Sequence, residues 1–538
     1  MTARATTRRL AAVAVLLATG LTLTPTGRAA TPALWDDAPT ARPTPTQLRA
    51  KAAAAERAGD WDTALAAYLD LPATDRAAPA TRERLLNAAR RAAQGRRHRD
   101  PAHQQFVAAL PARDAAQLFG EAVGKLAGSF ADPARAAPQK LWAAGVEELD
   151  RALGSPSFVA LYLTGTPAEK IDAFRRTLRT DWATRRVTDH YNARAALKGL
   201  LGAAQDALAP RVPAALAAEV LCGACAGLDE YTAFLTPELV ADQPADLAGH
   251  GLFFGFDSDG LFVDGVTPGS WAAFHTPLRR GDRIARVNNR SMLFGTPDLA
   301  DALRNPEGGF HSFEFVTPAP GLMSEVRVPL AAPTVYGGRM IPGRDGVGYL
   351  RVAEFQATTP RELTDALACL KEQGLRALVL DVRGNPGGSF LAGVEAARKF
   401  LPAGAIITTH GQLPQVAGQT FSSASGMAAF DLPLVLLIDS DTASAAEVLA
   451  AALRDNHRAV LVGEATFGKG TLQFLLRLNG SGSVRVTIAR LVAPSGPLSA
   501  GVTPHVLESD PLRQFDLAAD RAAELLMPMP MPRPMLVP

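Results

Sequence analysis

Ser444 is the first side chain whose type and surroundings suggest covalent chemistry. It stands in DSDTASAAE, after the apolar run Leu434–Ile438 and at the start of AAEVLAAALRD, which has helical periodicity. A serine at a helix N-terminus lies near backbone N–H groups and a dipole that favour developing negative charge. The same position also suits a serine that only caps the helix.

Lys469 is the second candidate, between two glycines in FGKGTLQ. Such a lysine is usually a solvated loop residue or a phosphate ligand, but the spacing of a P-loop is absent, which disfavours nucleotide binding. A lysine serves as a general base when burial away from carboxylates lowers its pKa, about 10.4 when unperturbed, towards neutral. Gln473, four residues on and on the same face of an extended segment, is predicted to orient the amine by a hydrogen bond.

A glycine-rich turn is the third element. In DVRGNPGG an apolar strand, Ala377–Leu380, runs into a tight turn that precedes a helical stretch. Gly387 and Gly388 permit positive φ angles and a close approach of substrate to exposed N–H groups.

Two competing constellations are disfavoured by spacing. His457, near Asp455, lies thirteen residues after Ser444 on the predicted helix. Thirteen residues of helix span roughly 20 Å, too far for a Ser–His–Asp triad. Cys222 and Cys225 form a C-x-x-C pair that could be a redox pair or a disulfide, but the helical pattern before them favours two packed thiols.

The three motifs DVRGNPGG, TASAAE and FGKGTLQ, in this order and with 25 residues from Ser444 to Lys469, resemble the carboxy-terminal processing, or tail-specific, proteases. The resemblance covers about 220–510 and includes the upstream segment GLDEYTAFLTPEL, which lacks the family's usual proline. His505 stands where the family often has an acid. The resemblance implies a crotonase-like mixed α/β core and a serine endopeptidase that trims or degrades proteins from the C-terminal end and needs no metal or nucleotide.

The resemblance also implies roles for single residues. Ser444 becomes the nucleophile, Lys469 the general base and Gln473 the residue that holds the lysine. An oxyanion hole would combine the Ala445 N–H with that of Gly387 or Gly388. Four more residues match supporting positions, for which structural roles are expected: Arg383, Glu447, Asp455 and Thr466.

Residues 248–332 resemble a PDZ module, with hairpin-like strands, a short helix and an RGD turn before a further strand. A glycine-rich loop that opens a strand can bind a terminal carboxylate, and the strand edge can pair with the peptide. The residues predicted to form this loop and its apolar pocket are Gly251, Leu252, Phe253 and Phe254. A PDZ-like fold used only for packing is the alternative.

The first 29 residues have the layout of a secretory signal peptide. A basic start, MTARATTRRL, precedes an apolar run from Leu10 to Leu23 and the small residues Gly27 and Ala29. The run is short for a membrane span, which favours a cleaved signal peptide. An uncleaved membrane anchor is the alternative. The protein is therefore predicted to be exported, to the periplasm or the extracellular space. Loss of the segment's four arginines would change the net charge from +2 to −2.

The sequence pattern predicts a multidomain α/β protein with an N-terminal α-helical domain, and the two resemblances imply a PDZ-like β-rich domain and a crotonase-like mixed α/β protease core. Within the helical domain, AERAGDWDTALAAYLDL resembles a single tetratricopeptide-type helix–turn–helix, but without a 34-residue recurrence an irregular helical domain is the favoured interpretation. The expected division is a signal peptide at 1–29, a linker at 30–50, the helical domain at 51–225, a leading segment at 226–247, the PDZ domain at 248–332, the core at 333–512 and a largely disordered tail at 513–538.

Two functional hypotheses result. The first is an exported serine endopeptidase that acts on proteins or peptides with a free C-terminus; the second is an inactive peptide-binding scaffold of the same fold. The presence of Ser444, Lys469 and Gln473 favours the enzyme.

Near-neutral charge argues against a nucleic-acid partner, and three cysteines exclude a disulfide scaffold and leave too few thiolates for a metal site. No cofactor is predicted, and the helical domain is left as either an adaptor surface or a homo-oligomer contact.

Overall fold

A computed structural model of the chain describes residues 43–71, 75–76, 78–237, 250, 252–257, 259–266, 271–293, 302–303, 310–317, 323–329, 333–424, 426, 430–479 and 482–526. The predicted signal peptide and most of the predicted linker lie outside the described residues. Within the described ranges, no helix combines the length and the apolar character that a membrane crossing requires.

The N-terminal region is helical, as the sequence predicts. Its α-helices within the described residues are α1 (Pro45–Ala58), α2 (Trp61–Leu69), α3 (Pro79–Arg99), α4 (Pro101–Ala109), α5 (Ala112–Ser129), α6 (Pro138–Leu153), α7 (Pro156–Tyr162), α8 (Ala168–Thr177), α9 (His190–Leu208) and α10 (Pro213–Ala226). A π-helical turn, Leu178–Trp182, extends α8.

The predicted helix–turn–helix is confirmed as the pair α1 and α2. Gly59 ends α1 in the left-handed region, at φ 72°, and the Asp60 side chain accepts a hydrogen bond from the Thr63 N–H at the start of α2. Leu65 and Tyr68 are buried between the helices of this pair and α3.

A largely antiparallel sheet lies against the helical region. Its strands are β1 (Ala233–Leu235), β11 (Gly404–His410), β12 (Gln419–Ser423), β15 (Thr471–Arg477), β16 (Ser483–Ala493) and β17 (Gly496–Pro497), with β16 in the centre. Val484 and Val486 of β16 belong to the same apolar cluster as Phe119 of α5 and Leu221 of α10. The helical region therefore shares its core with the sheet and does not end in an independent core near residue 225.

The region between the helices and the protease core forms a separate sheet in the order β2-β3-β4-β6-β7, with β5 paired to β4. The elements are β2 (Leu252–Asp257), β3 (Gly260–Val266), α11 (Trp271–His275), β4 (Arg283–Val287), β5 (Arg290–Ser291), β6 (Phe310–Val316) and β7 (Met323–Pro329). The sheet has its own apolar core, and β2 is at its edge.

The third sheet positions most of the candidate site. It runs in the order β18-β14-β13-β10-β9-β8 and is parallel except for β8. Its elements are β8 (Val335–Met340), β9 (Val347–Val352), α12 (Thr359–Glu372), β10 (Ala377–Asp381), α13 (Phe390–Phe400), β13 (Leu434–Ile438), α14 (Ala445–Asp455), β14 (Val460–Gly463), β18 (Val506–Leu507) and α15 (Pro511–Glu524).

Both faces of this parallel sheet are covered, which explains its continuous apolar strands. In β10, Leu378 and Leu380 face α12, α13 and α14, whereas Ala377 and Val379 face α15.

The prediction of a disordered tail from residue 513 is wrong for the part that forms α15. Asp510 caps this helix by accepting hydrogen bonds from the N–H groups of Leu512 and Arg513. Ala518 and Ala522 are fully buried against the sheet, so tertiary packing orders a segment that is polar overall. The proline-rich residues 527–538 lie outside the described residues.

Candidate active site

Ser444 lies at the junction of β13 and α14, as the sequence predicts, but in a strained conformation. Its φ is 56° with ψ −117°, an arrangement that costs a non-glycine residue of order 1–3 kcal/mol. Contacts on both sides hold it: the Ala443 N–H donates to the Asn385 carbonyl over 2.8 Å, and the Ser444 N–H donates to Glu447 Oε2 over 2.8 Å. The serine is thus presented by a turn that the surrounding structure fixes.

The glycine-rich turn after β10 packs directly against this serine. A Cβ on Gly387, whose φ is 101°, would lie 2.6 Å from Ser444 Cβ and 2.9 Å from the Ala445 nitrogen. Gly388, at φ 117°, would collide with the Phe355 carbonyl oxygen. Both positions therefore need glycine for space as well as for backbone conformation.

The N–H groups of the predicted oxyanion hole differ in whether they already donate a hydrogen bond within the protein. The Gly387 N–H donates to Asn385 Oδ1 over 2.8 Å, and the same amide group donates from Nδ2 to the Val352 carbonyl over 2.9 Å. Within the part of the chain that the structure describes, the N–H groups of Gly388 and Ala445 have no acceptor. These two are the donors left for a developing oxyanion.

Glu447 joins the serine to the lysine loop. Its carboxylate is fully buried and accepts four hydrogen bonds, from the Ser444 N–H at 2.8 Å, the Lys469 N–H at 2.8 Å, the Gly468 N–H at 2.6 Å and Thr466 Oγ1 at 2.5 Å. Burial raises the pKa of Glu447, and the four donors oppose that shift by stabilising the charged form. Glu447 thus connects the turn at Ser444 to the loop that contains Thr466 and Lys469.

The Lys469 amine is half-buried beside the face of the Tyr231 ring, with Nζ 5.5 Å from the ring centroid. Burial and the nearby charge of Arg485 lower the pKa of Lys469 to about 8, while Glu447 opposes the shift. Among the described residues, no carboxylate forms an ion pair with the amine, and no hydrogen bond joins it to Ser444 Oγ. Catalytic hydrogen bonds of free enzymes often form only when substrate binds.

Gln473 does not hold the lysine in this structure. Its Nε2 donates to Thr471 Oγ1 over 2.7 Å and to Thr487 Oγ1 over 3.4 Å. The prediction assumed a regular strand, but the pairing of β15 with β16 shifts register between Leu472 and Gln473. A bulge of this kind changes the direction of the side chains that follow it.

Arg383 anchors the C-terminal helix from the glycine turn. It forms an ion pair with the buried Asp381 at 2.6 Å and donates to the Pro511 carbonyl and to Gln514 Oε1 on α15. Although burial raises the pKa of Asp381, Arg383 and Arg351 hold it at about 2. Arg383 thus connects the glycine turn to α15.

Asp455 lies at the far end of α14 from the serine, where it pairs with Arg454 at 2.9 Å and accepts from the Ser495 N–H. His457 follows that same end and is exposed, which agrees with the rejection of a Ser–His–Asp triad. Cys222 and Cys225 are free, buried thiols within α10.

The residues predicted to bind a peptide end lie at the β2 edge, except Gly251, which is outside the described residues. Leu252 is buried, Phe253 pairs with Gly265 in the backbone register, and the Phe254 ring stacks on Phe313 at 5.6 Å.

Three residues near the lysine loop escaped sequence reasoning. Tyr231 lies beside the Lys469 amine, Arg485 Nε donates to the Tyr231 carbonyl over 2.9 Å, and the Arg76 guanidinium lies 5.2 Å from the centroid of the Phe467 ring. Tyr231 could have been predicted from the sequence, because it is part of the GLDEYT segment. Arg76 and Arg485 carry no signal in single-sequence spacing, since tertiary packing brings them to the site.

Comparison with known proteins gives the family. Residues 346–507 match the model of peptidase family S41. The chain is 33% identical over 303 residues to the carboxyl-terminal-processing protease of Synechocystis sp., covering 54% of this chain and 70% of that protein. It is 35% identical over 276 residues to the enzyme of the same name from Picosynechococcus sp., covering 49% and 66%.

Among solved structures, the photosystem II D1 C-terminal processing protease aligns with 76% of this chain and 97% of its own length, at 24% identity and a TM-score of 0.40.

The chain is thus a serine-type peptidase, a hydrolase of peptide bonds, with a mixed α/β protease region. It belongs to the carboxyl-terminal-processing protease family, peptidase family S41.

Substitution of Glu447 by Gln tests the role of the shared carboxylate. An amide keeps the shape but directs an NH₂ group at two of the four donors, so we expect the free energy of unfolding to fall by about 3 kcal/mol. Displacement of the loops should lower kcat by about a hundredfold. Urea denaturation and peptide cleavage measure the two effects, with the exposed Glu372→Gln as control. Wild-type values for both quantities in Glu447→Gln would contradict this role.

Proposed function

We propose that the protein is an exported serine endopeptidase that cleaves proteins recognised by their C-terminal tail, with Ser444 as nucleophile and Lys469 as general base. One observation carries the dyad: the backbone N–H groups of both residues donate to the same Glu447 oxygen, Oε2, each over 2.8 Å. This arrangement holds a strained serine and a half-buried lysine close to one carboxylate. The family membership supports the reaction class.

The proposed reaction assigns one step to each of these groups. Neutral Lys469 takes the proton of Ser444 Oγ, which attacks the scissile carbonyl carbon and forms a tetrahedral oxyanion. The N–H groups of Gly388 and Ala445 stabilise that charge, and such a donor is typically worth ~3–4 kcal/mol. The protonated lysine then donates to the leaving amine, and water hydrolyses the acyl-enzyme with Lys469 again as base.

The pKa of Lys469 fits this role. With a value of about 8, the neutral fraction of the amine rises as the pH increases through 8, and activity should rise with it. An unperturbed lysine would be almost wholly protonated at neutral pH.

Recognition of the C-terminal tail is assigned to the module of β2 to β7. The edge position of β2 supports this assignment, because an edge strand has unpaired backbone groups that can bind an extended peptide. Export is supported by the signal-like composition of residues 1–29. The names of the Synechocystis and Picosynechococcus relatives refer to processing of a carboxyl terminus.

Removal of either dyad side chain tests the enzyme against the scaffold alternative. We expect Ser444→Ala and Lys469→Ala each to lower kcat by about 10⁴-fold or more on an unfolded protein with an apolar C-terminus. The exposed Ser509→Ala and Lys371→Ala serve as matched controls. Cleavage is followed by gel and mass spectrometry. Undiminished cleavage in either dyad variant would refute the dyad, and no cleavage by the wild type would favour the scaffold.

The state of the substrate's C-terminus tests tail recognition. A peptide with a C-terminal amide should show a KM about tenfold higher than the free acid, because it loses charge-assisted hydrogen bonds from backbone N–H groups. Acetylation of the N-terminus is the control, since it removes a charge at the other end. Equal KM values for the amide and the acid would rule out carboxylate recognition.

A further inference from the structure

The segment that leads from α10 into β1 reaches the lysine of the proposed dyad. Asp229 Oδ1 accepts from the N–H groups of Tyr231 at 3.0 Å and Thr232 at 2.7 Å, which forms a tight turn. β1 then pairs with β16, with Ala233 opposite Arg485. The position of Tyr231 is therefore fixed by a turn on one side and by a sheet on the other.

Tyr231 touches Lys469 with its ring and Arg485 with its backbone. The ring centroid lies 5.5 Å from Lys469 Nζ, and Arg485 Nε donates to the Tyr231 carbonyl over 2.9 Å. Arg485 is only 5% exposed. Tyr231 thus contacts both a buried guanidinium, through its carbonyl, and the lysine amine, through its ring.

The effects of these groups on the amine oppose one another. An aromatic face attracts a cation, which favours the ammonium form. Exclusion of water by the ring and repulsion by a nearby positive charge favour the neutral form. The lowered pKa of Lys469 has burial as its first cause and Arg485 as its second, so the effects that favour the neutral amine prevail. Burial also lowers the pKa of Arg485 to about 10.

The other charged groups near the lysine lie on α14, in the turn before α14, in the helical region and in the segment before β1. Glu447 on α14 holds the Lys469 N–H and favours the charged amine. Arg76, from the helical region, lies over the Phe467 ring in the same loop, with Asp441 close to it. Asp229 lies close to Arg485. Any test must therefore separate Arg485 from the remaining charges.

We propose that Tyr231 and Arg485 are positioning residues for the Lys469 amine: the Tyr231 ring closes one side of its pocket, and Arg485 supplies the fixed positive charge that disfavours a second one on the lysine. The proposal rests on the proposed function of Lys469 as general base. It gives the segment between the helical region and β1 a role in the chemistry. An adjacent cation is an established means of activating a lysine.

The test is the pH dependence of kcat/KM on the full chain, which reports the ionisation of the free enzyme. In Arg485→Gln we expect the midpoint of the rise to move up by about one pH unit. Arg485→Lys keeps the charge and should keep the wild-type midpoint. Arg490→Gln, an exposed position on the same strand, is the matched control.

Variants of Tyr231 provide a second test of the same kind, which is needed if circular dichroism shows that Arg485→Gln does not fold. Tyr231→Phe keeps the ring and should keep the midpoint, whereas Tyr231→Leu admits water and should raise the midpoint by at least about half a unit. A wild-type midpoint in both Arg485→Gln and Tyr231→Leu would overturn the inference. If only Tyr231→Leu folds, a wild-type midpoint in that variant alone would overturn it. Full activity of Lys469→Ala would instead refute the proposed function, so the two failures are distinguishable.

Discussion

The buried carboxylate of Glu447 is the interaction on which the candidate site depends. A buried carboxylate costs several kcal/mol in lost hydration, and each hydrogen bond to it returns about 1.5–3 kcal/mol. Four donors satisfy both oxygens of the buried carboxylate, and they connect Glu447 to the serine and to the lysine loop at the same time. It fixes the first turn of α14 against the loop 466–469, and thereby the serine against the lysine.

The parallel sheet explains why these pieces meet at all. β10, β13 and β14 are neighbours, and the glycine turn, Ser444 and the lysine loop each follow the carboxyl end of one of them. Ligand sites of parallel sheets form at this edge, where successive strand ends come together. The helical region and the antiparallel sheet complete the site from outside, through Tyr231, Arg485 and Arg76. Two residues outside the segment that matches the family model, Tyr231 and Arg76, therefore lie against the lysine loop.

Sequence reasoning could predict the parts of the site that depend on local pattern. The start of a helix at Ser444, the glycine turn and the helical N-terminal region are all visible in spacing and composition. Spacing does not settle a feature that one residue of register or one tertiary contact decides. The bulge before Gln473 changes the direction of that side chain, and the spacing left Gly387 and Gly388 as alternatives that differ only through the Asn385 amide, which accepts from the Gly387 N–H. Likewise, α15 is ordered by packing on the sheet, which its polar sequence does not reveal.

The central claim is that Ser444 is a nucleophile activated by Lys469. The most direct measurement is covalent labelling of the full chain with a serine-directed phosphonate at a series of pH values, with the modified residue located by peptide mass spectrometry. We predict a single adduct on Ser444 that forms faster as the pH rises through about 8 in wild type and is lost in Lys469→Ala. An adduct on another residue, or equal labelling of Ser444 in Lys469→Ala, would contradict the claim.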